Sequence, residues 1–194
     1  MQKTVLVFVT LGFLVQACHE QSNDKQPAAV EEKKDYFPVA DYIRSEINYV
    51  DSLPLGIVKY HIAQDKKDSS YIKTEEFDKL AKEFLPAELS DSSFTRDFTE
   101  SSFIDQTTQS VTFTYSTADA GHILRRVDVL ASPEQGFNKV KSIYMEKTIN
   151  KGDSIVIKKM YWKAKRSFQI ISILEAGNQP AVTSQLKVVW DNRD

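Results

Sequence analysis

The stretch Val182-Thr-Ser-Gln-Leu-Lys-Val-Val-Trp190 decides how the second half of this chain is read. Val182, Ser184, Leu186, Val188 and Trp190 fall on one side, with Thr183, Gln185 and Lys187 on the other. Successive side chains of a β-strand point to opposite faces, so the alternation predicts a strand with one apolar and one wet face. Upstream, Ile155, Ile157 and Tyr161 repeat the pattern and oppose Lys158.

Working outward, the same logic predicts strands at Phe98–Ile104, Ser110–Ser116, Ile123–Ala131, Val140–Ile149, Ser154–Lys163 and Ser167–Glu175. Turn chemistry separates them: Asp105-Gln-Thr-Thr108, Asp119-Ala-Gly121, Ser132-Pro-Glu-Gln-Gly136, Asn150-Lys-Gly-Asp153 and Gly177-Asn-Gln-Pro180. Connections this short make successive strands antiparallel neighbours, which is a meander.

The segment before Phe98 has a different period. Val39, Ala40, Ile43, Ile47 and Val50 recur at three- and four-residue spacing behind Pro38, which predicts an amphipathic helix over 38–51. Ile57–Ile62 reads as a strand, and a turn over Gln64–Ser69 with a return at Ser70–Lys73 makes a short hairpin. Thr74 is placed to cap a second helix, with Glu75 and Glu76 in its first turn and Phe77, Leu80, Ala81 and Phe84 as its stripe. Tyr42-Ile-Arg-Ser-Glu46 and Tyr71-Ile-Lys-Thr-Glu75 echo one another but fall in unlike elements, so no repeat is read. The expected fold class is therefore α+β: two N-terminal amphipathic helices with a short hairpin, then a twisted antiparallel meander sheet covered by the helices.

At the N-terminus, Lys3 and an uncharged run from Val5 to Val15 precede Val15-Gln-Ala-Cys18, which holds the only cysteine. Eleven helical residues span roughly 16 Å, about half a hydrocarbon core, so the run is too short to cross a membrane and has the form of a secretory signal. Val15 and Ala17 before Cys18 resemble the lipobox of bacterial lipoproteins of the signal peptidase II type, with Gln16 as an unusual middle residue. The resemblance implies residues 1–17 as signal peptide and Cys18 as the lipidation site, carrying a diacylglyceryl thioether and an acylated (palmitate-type) amino group. Two or more chains hold a protein firmly to a membrane, whereas one does so only marginally. A stray thiol would be a liability in an exported protein, and the rest of the chain has none.

Residues 18–34 are polar, charged and free of aromatics, the composition of a flexible tether with a reach of about 20–25 Å. His19 stands after the cysteine where inner-membrane retention would place Asp, and the acids Glu20 and Asp24 are sparse. By resemblance this implies an outer membrane anchor facing the periplasm. The remaining 160 residues, 35–194, suffice for a single domain with its own core, and they resemble bacterial envelope lipoproteins in length and layout.

Net charge is only −2 but unevenly spread, with 19 acidic and 11 basic residues in His19–Asp105 and 8 acidic and 13 basic in Gln106–Asp194. The run Lys158-Lys-Met-Tyr-Trp-Lys-Ala-Lys-Arg166 interleaves bases with aromatics. It has two readings. Lys158, Lys159, Trp162, Lys163, Lys165 and Arg166 could meet an anionic headgroup, a glycan or an envelope protein. Alternatively the aromatics pack in the core and the lysines line the wet face of a sheet. Nucleic acid is not an expected partner of an exported protein.

Chemistry is sparse. His19, His61 and His122 are the only histidines and none stands at metal-ligand spacing. No Gly-x-Ser-x-Gly elbow or phosphate-cradling glycine loop occurs. The carboxylates Glu75, Glu76, Asp91 and Asp97 have structural reasons to lie at helix starts and turns. No enzyme, cofactor or metal site is expected. The expected function is a non-enzymatic binding or docking module anchored to the envelope; the alternative is a carrier of a hydrophobic small molecule or lipid, with a cavity lined by residues such as Phe77, Phe84, Ile171 or Trp190. Phe94, Phe98 and Phe103 either rim a pocket or pin a loop to the core.

Overall fold

The computed structural model describes residues 36–54, 56–64, 66–90, 92–132 and 139–192. The expected signal peptide, Cys18 and the tether lie outside them, as does Asp91.

Among the described residues nine strands form one sheet: β1 (Ile57–Ala63), β2 (Lys66–Ile72), β3 (Thr99–Asp105), β4 (Ser110–Ser116), β5 (Leu124–Ala131), β6 (Val140–Asn150), β7 (Ser154–Lys163), β8 (Ser167–Ala176) and β9 (Val182–Val189). Their spatial order is β2-β1-β9-β8-β7-β6-β5-β4-β3, and every neighbouring pair is antiparallel. The meander from β3 to β9 is thus laid down in chain order. The hairpin does not stand apart from it: β1 pairs with β9, Val58 opposite Val189 and Ala63 opposite Ser184. An unpaired β9 would leave a row of open N–H and C=O groups beside the core, and β1 closes that row. The return strand is also longer than expected, beginning at Lys66, two residues after a left-handed Gln64 (φ 48°), rather than at Ser70.

The expected helix-over-sheet α+β arrangement is corrected by this architecture, which among the described residues is mostly the nine-stranded sheet with three short helices. These are α1 (Val39–Asp51), α2 (Thr74–Ala81) and α3 (Ser93–Asp97). Length explains the outcome. The thirteen residues of α1 span about 20 Å, whereas nine strands extend across roughly 38 Å. The second helix ends at Ala81 and passes into 3-10 turns at Lys82–Phe84 and Ala87–Ser90 around Pro86, which cannot continue an α-helix. Thr74 is its first helical residue rather than its cap; Lys73 holds the cap position.

The core is built from the sheet's own inward rows together with a few large side chains from the helical segments. Trp162 and Phe168 stack at 5.4 Å between ring centroids, Phe84 meets Trp162 edge-on at 5.1 Å, and Phe77 meets Trp190 edge-on at 5.4 Å. Offset and edge-to-face contacts of this kind add about 0.5–1.5 kcal/mol each beyond the area they bury. Strand β9 follows its expected alternation, with Val188 buried and Lys187 exposed. Strand β7 is turned over relative to expectation. Met160 and Trp162 are fully buried, Tyr161 and Ile155 face outward, and Lys158 lies on the inward row. A one-residue shift inverts every side chain of a strand, and burying the Trp162 indole together with Met160 outweighs burying Ile155, Ile157 and Tyr161, whose hydroxyl stays wet on the outer face.

Candidate docking cleft

Tyr36, Phe37 and Pro38 enter the fold pinned on two sides. The Tyr36 hydroxyl donates to the Phe98 carbonyl at 2.7 Å, and the Phe37 amide donates to the Tyr115 hydroxyl at 3.1 Å. The Tyr36 ring also lies 4.9 Å from that of Tyr115. From there α1 starts, its first turn closed by the Tyr42 amide on the Pro38 carbonyl.

Along α1, Asp41, Tyr42, Ser45 and Glu46 form one wall of a cleft of about 750 Å³. Lys139 and Val140 at the start of β6, with Ala164 and Lys165 in the β7–β8 turn, form the other. Tyr36, Phe37 and Pro38 line it too, so aromatic and aliphatic surface alternates with an acid and two lysines at the rim.

Glu46 holds the two walls together. It is 1% exposed, an unusual place for a carboxylate unless its oxygens are occupied. Oε2 accepts from the Lys165 backbone amide at 2.7 Å and from Trp162 Nε1 at 3.3 Å, while Oε1 lies 3.0 Å from Lys165 Nζ. Lys165 is in the left-handed region (φ 62°), which turns its amide toward the carboxylate. Its ammonium sits 3.9 Å above the Tyr49 ring. Burial and then the Glu46 charge push the Tyr42 hydroxyl well above the usual phenol range, so it stays a neutral donor. With both oxygens engaged, Glu46 ties α1 to the β7–β8 turn.

A second polar cluster lies on the inward row of β6 and β7. Lys158 Nζ is 2.9 Å from Glu83 Oε2, and Lys147 donates to the Glu83 carbonyl with its ammonium 3.7 Å from the same carboxylate. Burial raises the Glu83 carboxyl, but the two lysines more than offset it and hold it below its usual value. Lys147, almost fully buried, is lowered by desolvation despite Glu83. A third cluster joins His122 Nε2 to Asp97 at 3.2 Å and Asp119 at 3.8 Å. Asp97 is held low by its Arg96 partner first and His122 second. Among the described residues no group of three or more His, Cys, Asp or Glu is arranged to hold a metal ion.

The residues of the basic and aromatic run are dispersed. Trp162 is in the core and Lys158 is paired inward. Lys159 and Lys163 project from the outer face, and Lys165 lines the cleft. The Arg166 carbonyl accepts from Trp190 and Asp191, tying the β7–β8 turn to the end of β9. Phe77, Phe84 and Trp190 pack against other rings, and Ile171 shares the outer row with Lys159 and Gln185, so those four do not line a common cavity. Phe94 and Phe98 are buried and pin the α3 segment, whereas Phe103 is 68% exposed on β3. Glu76 pairs with Lys59, and His61 is exposed on β1 opposite Asp68.

Sequence reasoning missed Glu46, yet a signal was present: it lies on the apolar stripe, three residues after Ile43 and four before Val50. Lys147 carries the same signal, falling in the alternating row with Ile143 and Met145. Compared with known proteins, the chain matches no family model, no curated protein and no solved structure.

Proposed function

We propose that this chain is a lipid-anchored, non-enzymatic docking module of a bacterial cell envelope, attached through Cys18 to the outer membrane and facing the periplasm. Its cleft between α1 and the β7–β8 turn receives a segment of an envelope protein. The observation that carries this reading is the cleft itself, about 750 Å³, with its walls fixed by buried Glu46. A prearranged site loses less ordering entropy on binding than one assembled around its ligand. The mixture of aromatic rings with Asp41, Lys139 and Lys165 at the rim suits a segment with an apolar anchor and charged flanks.

Native electrophoresis of detergent-extracted envelopes tests it. Ser45→Arg, which fills the cleft from an exposed helix position, should release the protein from its complex, while Lys187→Glu on the outer face should not. Identical migration of all three forms contradicts the docking reading. The anchor is tested separately: Cys18→Ser should move the protein from the membrane to the soluble fraction, and an unchanged membrane fraction would sink that part.

The cleft volume also suits a drug-sized molecule, which favours a carrier as the second reading. Native mass spectrometry separates the two, since a carrier would arrive with an added mass that organic solvent removes.

A further inference from the structure

The two outermost strands of the sheet carry nearly the same sequence. Asp68-Ser-Ser-Tyr-Ile-Lys73 runs along β2 and one residue beyond it, and Glu100-Ser-Ser-Phe-Ile-Asp105 runs along β3. Acid, serine, serine, aromatic and isoleucine match; the last position is lysine in one and aspartate in the other. Tyr71 (82%), Phe103 (68%) and Ile104 (64%) are also the most exposed large hydrophobic residues among those described. All three lie on these two edges.

Cross-strand register places the matching residues at the same height. One row runs Tyr71, Val58, Val189, Ser167, Lys163, Ser142, Leu130, Thr112, Phe103, crossing all nine strands from edge to edge. Tyr71 and Phe103 therefore share a face of the sheet. Eight successive antiparallel pairings also leave β2 and β3 pointing the same way. A second copy displaced sideways along the sheet would lay its β3 beside β2 as a parallel strand, in register. Tyr71 then meets Phe103, Ile72 meets Ile104, and Lys73 meets Asp105, with Ser69 and Ser70 opposite Ser101 and Ser102. Asp68 falls opposite Glu100, a like-charge contact flanked by Lys66 and Lys67.

Isolated β-sheet proteins blunt their edges with lysine, proline or a bulge. Strand β2 has Lys66 and Lys67. Strand β3 has no lysine or proline and pairs with β4 without a bulge from Thr99 to Asp105. Among the described residues no strand pairs with the outer edge of β3, and an edge with Phe103 and Ile104 exposed suits strand addition.

We propose that copies of this chain associate edge to edge, β3 of one adding in parallel to β2 of the next, so that their sheets become continuous. Such an interface joins two different surfaces, so it propagates into a row or closes into a ring. It is independent of the docking cleft.

The test uses the full chain in its membrane, with Ser70→Cys in one tagged copy and Ser102→Cys in another, both exposed positions, treated with a short bis-maleimide. Co-expressed single variants should give a mixed dimer and the double variant a ladder, while the parent chain and either single variant alone give neither. Adding Phe103→Lys to the double variant should reduce the ladder at least tenfold without moving the thermal transition. Self-linking of Ser102→Cys alone would mean that β3 pairs with β3 and overturn the arrangement. A link formed only within single chains, absence of any link, or a ladder indifferent to Phe103→Lys would overturn it equally.

Discussion

Glu46 and Glu83 each tie a helical segment to the sheet, one at the β7–β8 turn and the other on the inward row of β6 and β7. They use different materials. Glu46 is buried and grips a backbone amide and an indole, groups with almost no freedom to move. Glu83 has a side chain 40% exposed and is held by the ammonium ends of two long lysines. A contact made from backbone and ring donors in a buried place defines a shape, whereas a pairing of ammonium groups with a partly exposed carboxylate mainly contributes charge. The cleft sits beside the first kind.

The comparison is broken most severely by Glu46→Ala. Removing the carboxylate leaves the Lys165 amide and the Trp162 indole without partners in a buried place, which costs about 2–4 kcal/mol. For a domain of this size that lowers the melting temperature by roughly 5–12 °C in a calorimetric scan. Glu46→Gln keeps one acceptor oxygen and should lose about half as much.

Glu83→Gln is expected to cost about 1 kcal/mol or less, because the partly exposed pair with Lys158 is screened and buried Lys147 keeps its hydrogen bond to the Glu83 carbonyl. Its signature is pH dependence. The folded state holds the Glu83 carboxyl below its unfolded value, so its contribution is present above about pH 4.5 and is lost as pH falls through the lower folded value. Denaturant titrations between pH 6 and pH 3 should show a shallower acid decline in Glu83→Gln than in the parent chain, and an equal decline would remove Glu83 from that role.

The smallest effect belongs to Lys165→Gly. It deletes the ammonium that lies above Tyr49 and 3.0 Å from Glu46 Oε1, an ion pair weakened by the 54% exposure of the Lys165 side chain. It keeps the amide that Glu46 grips, and glycine adopts the left-handed backbone freely. These terms oppose each other, so stability should change by no more than about 1 kcal/mol in urea unfolding. A loss as large as that of Glu46→Ala would show that the side chain, and not the backbone, carries the clamp.

All seven strands of the meander could be read in the sequence because alternation and turn residues are local. What the sequence did not reveal was non-local. Nothing in Ile57–Ala63 says that its partner is β9, more than a hundred residues away, and the α+β expectation failed there. Strand β7 misled because both of its rows carry apolar side chains, and the burial of the Trp162 indole with Met160, against Tyr161 with its polar hydroxyl, decided the inward face. The cleft was illegible for the same reason as β1: Tyr36, Glu46, Lys139 and Lys165 meet only in three dimensions. Charge on an apolar stripe was the one local hint, at Glu46 and again at Lys147.

The most direct measurement is photocross-linking in intact envelopes from a benzophenone side chain introduced at Ser45, inside the cleft, with Lys187 on the outer face as control. Docking in the cleft predicts a discrete protein adduct from position 45 and none from 187. No adduct from 45, or the same adducts from both positions, would contradict it.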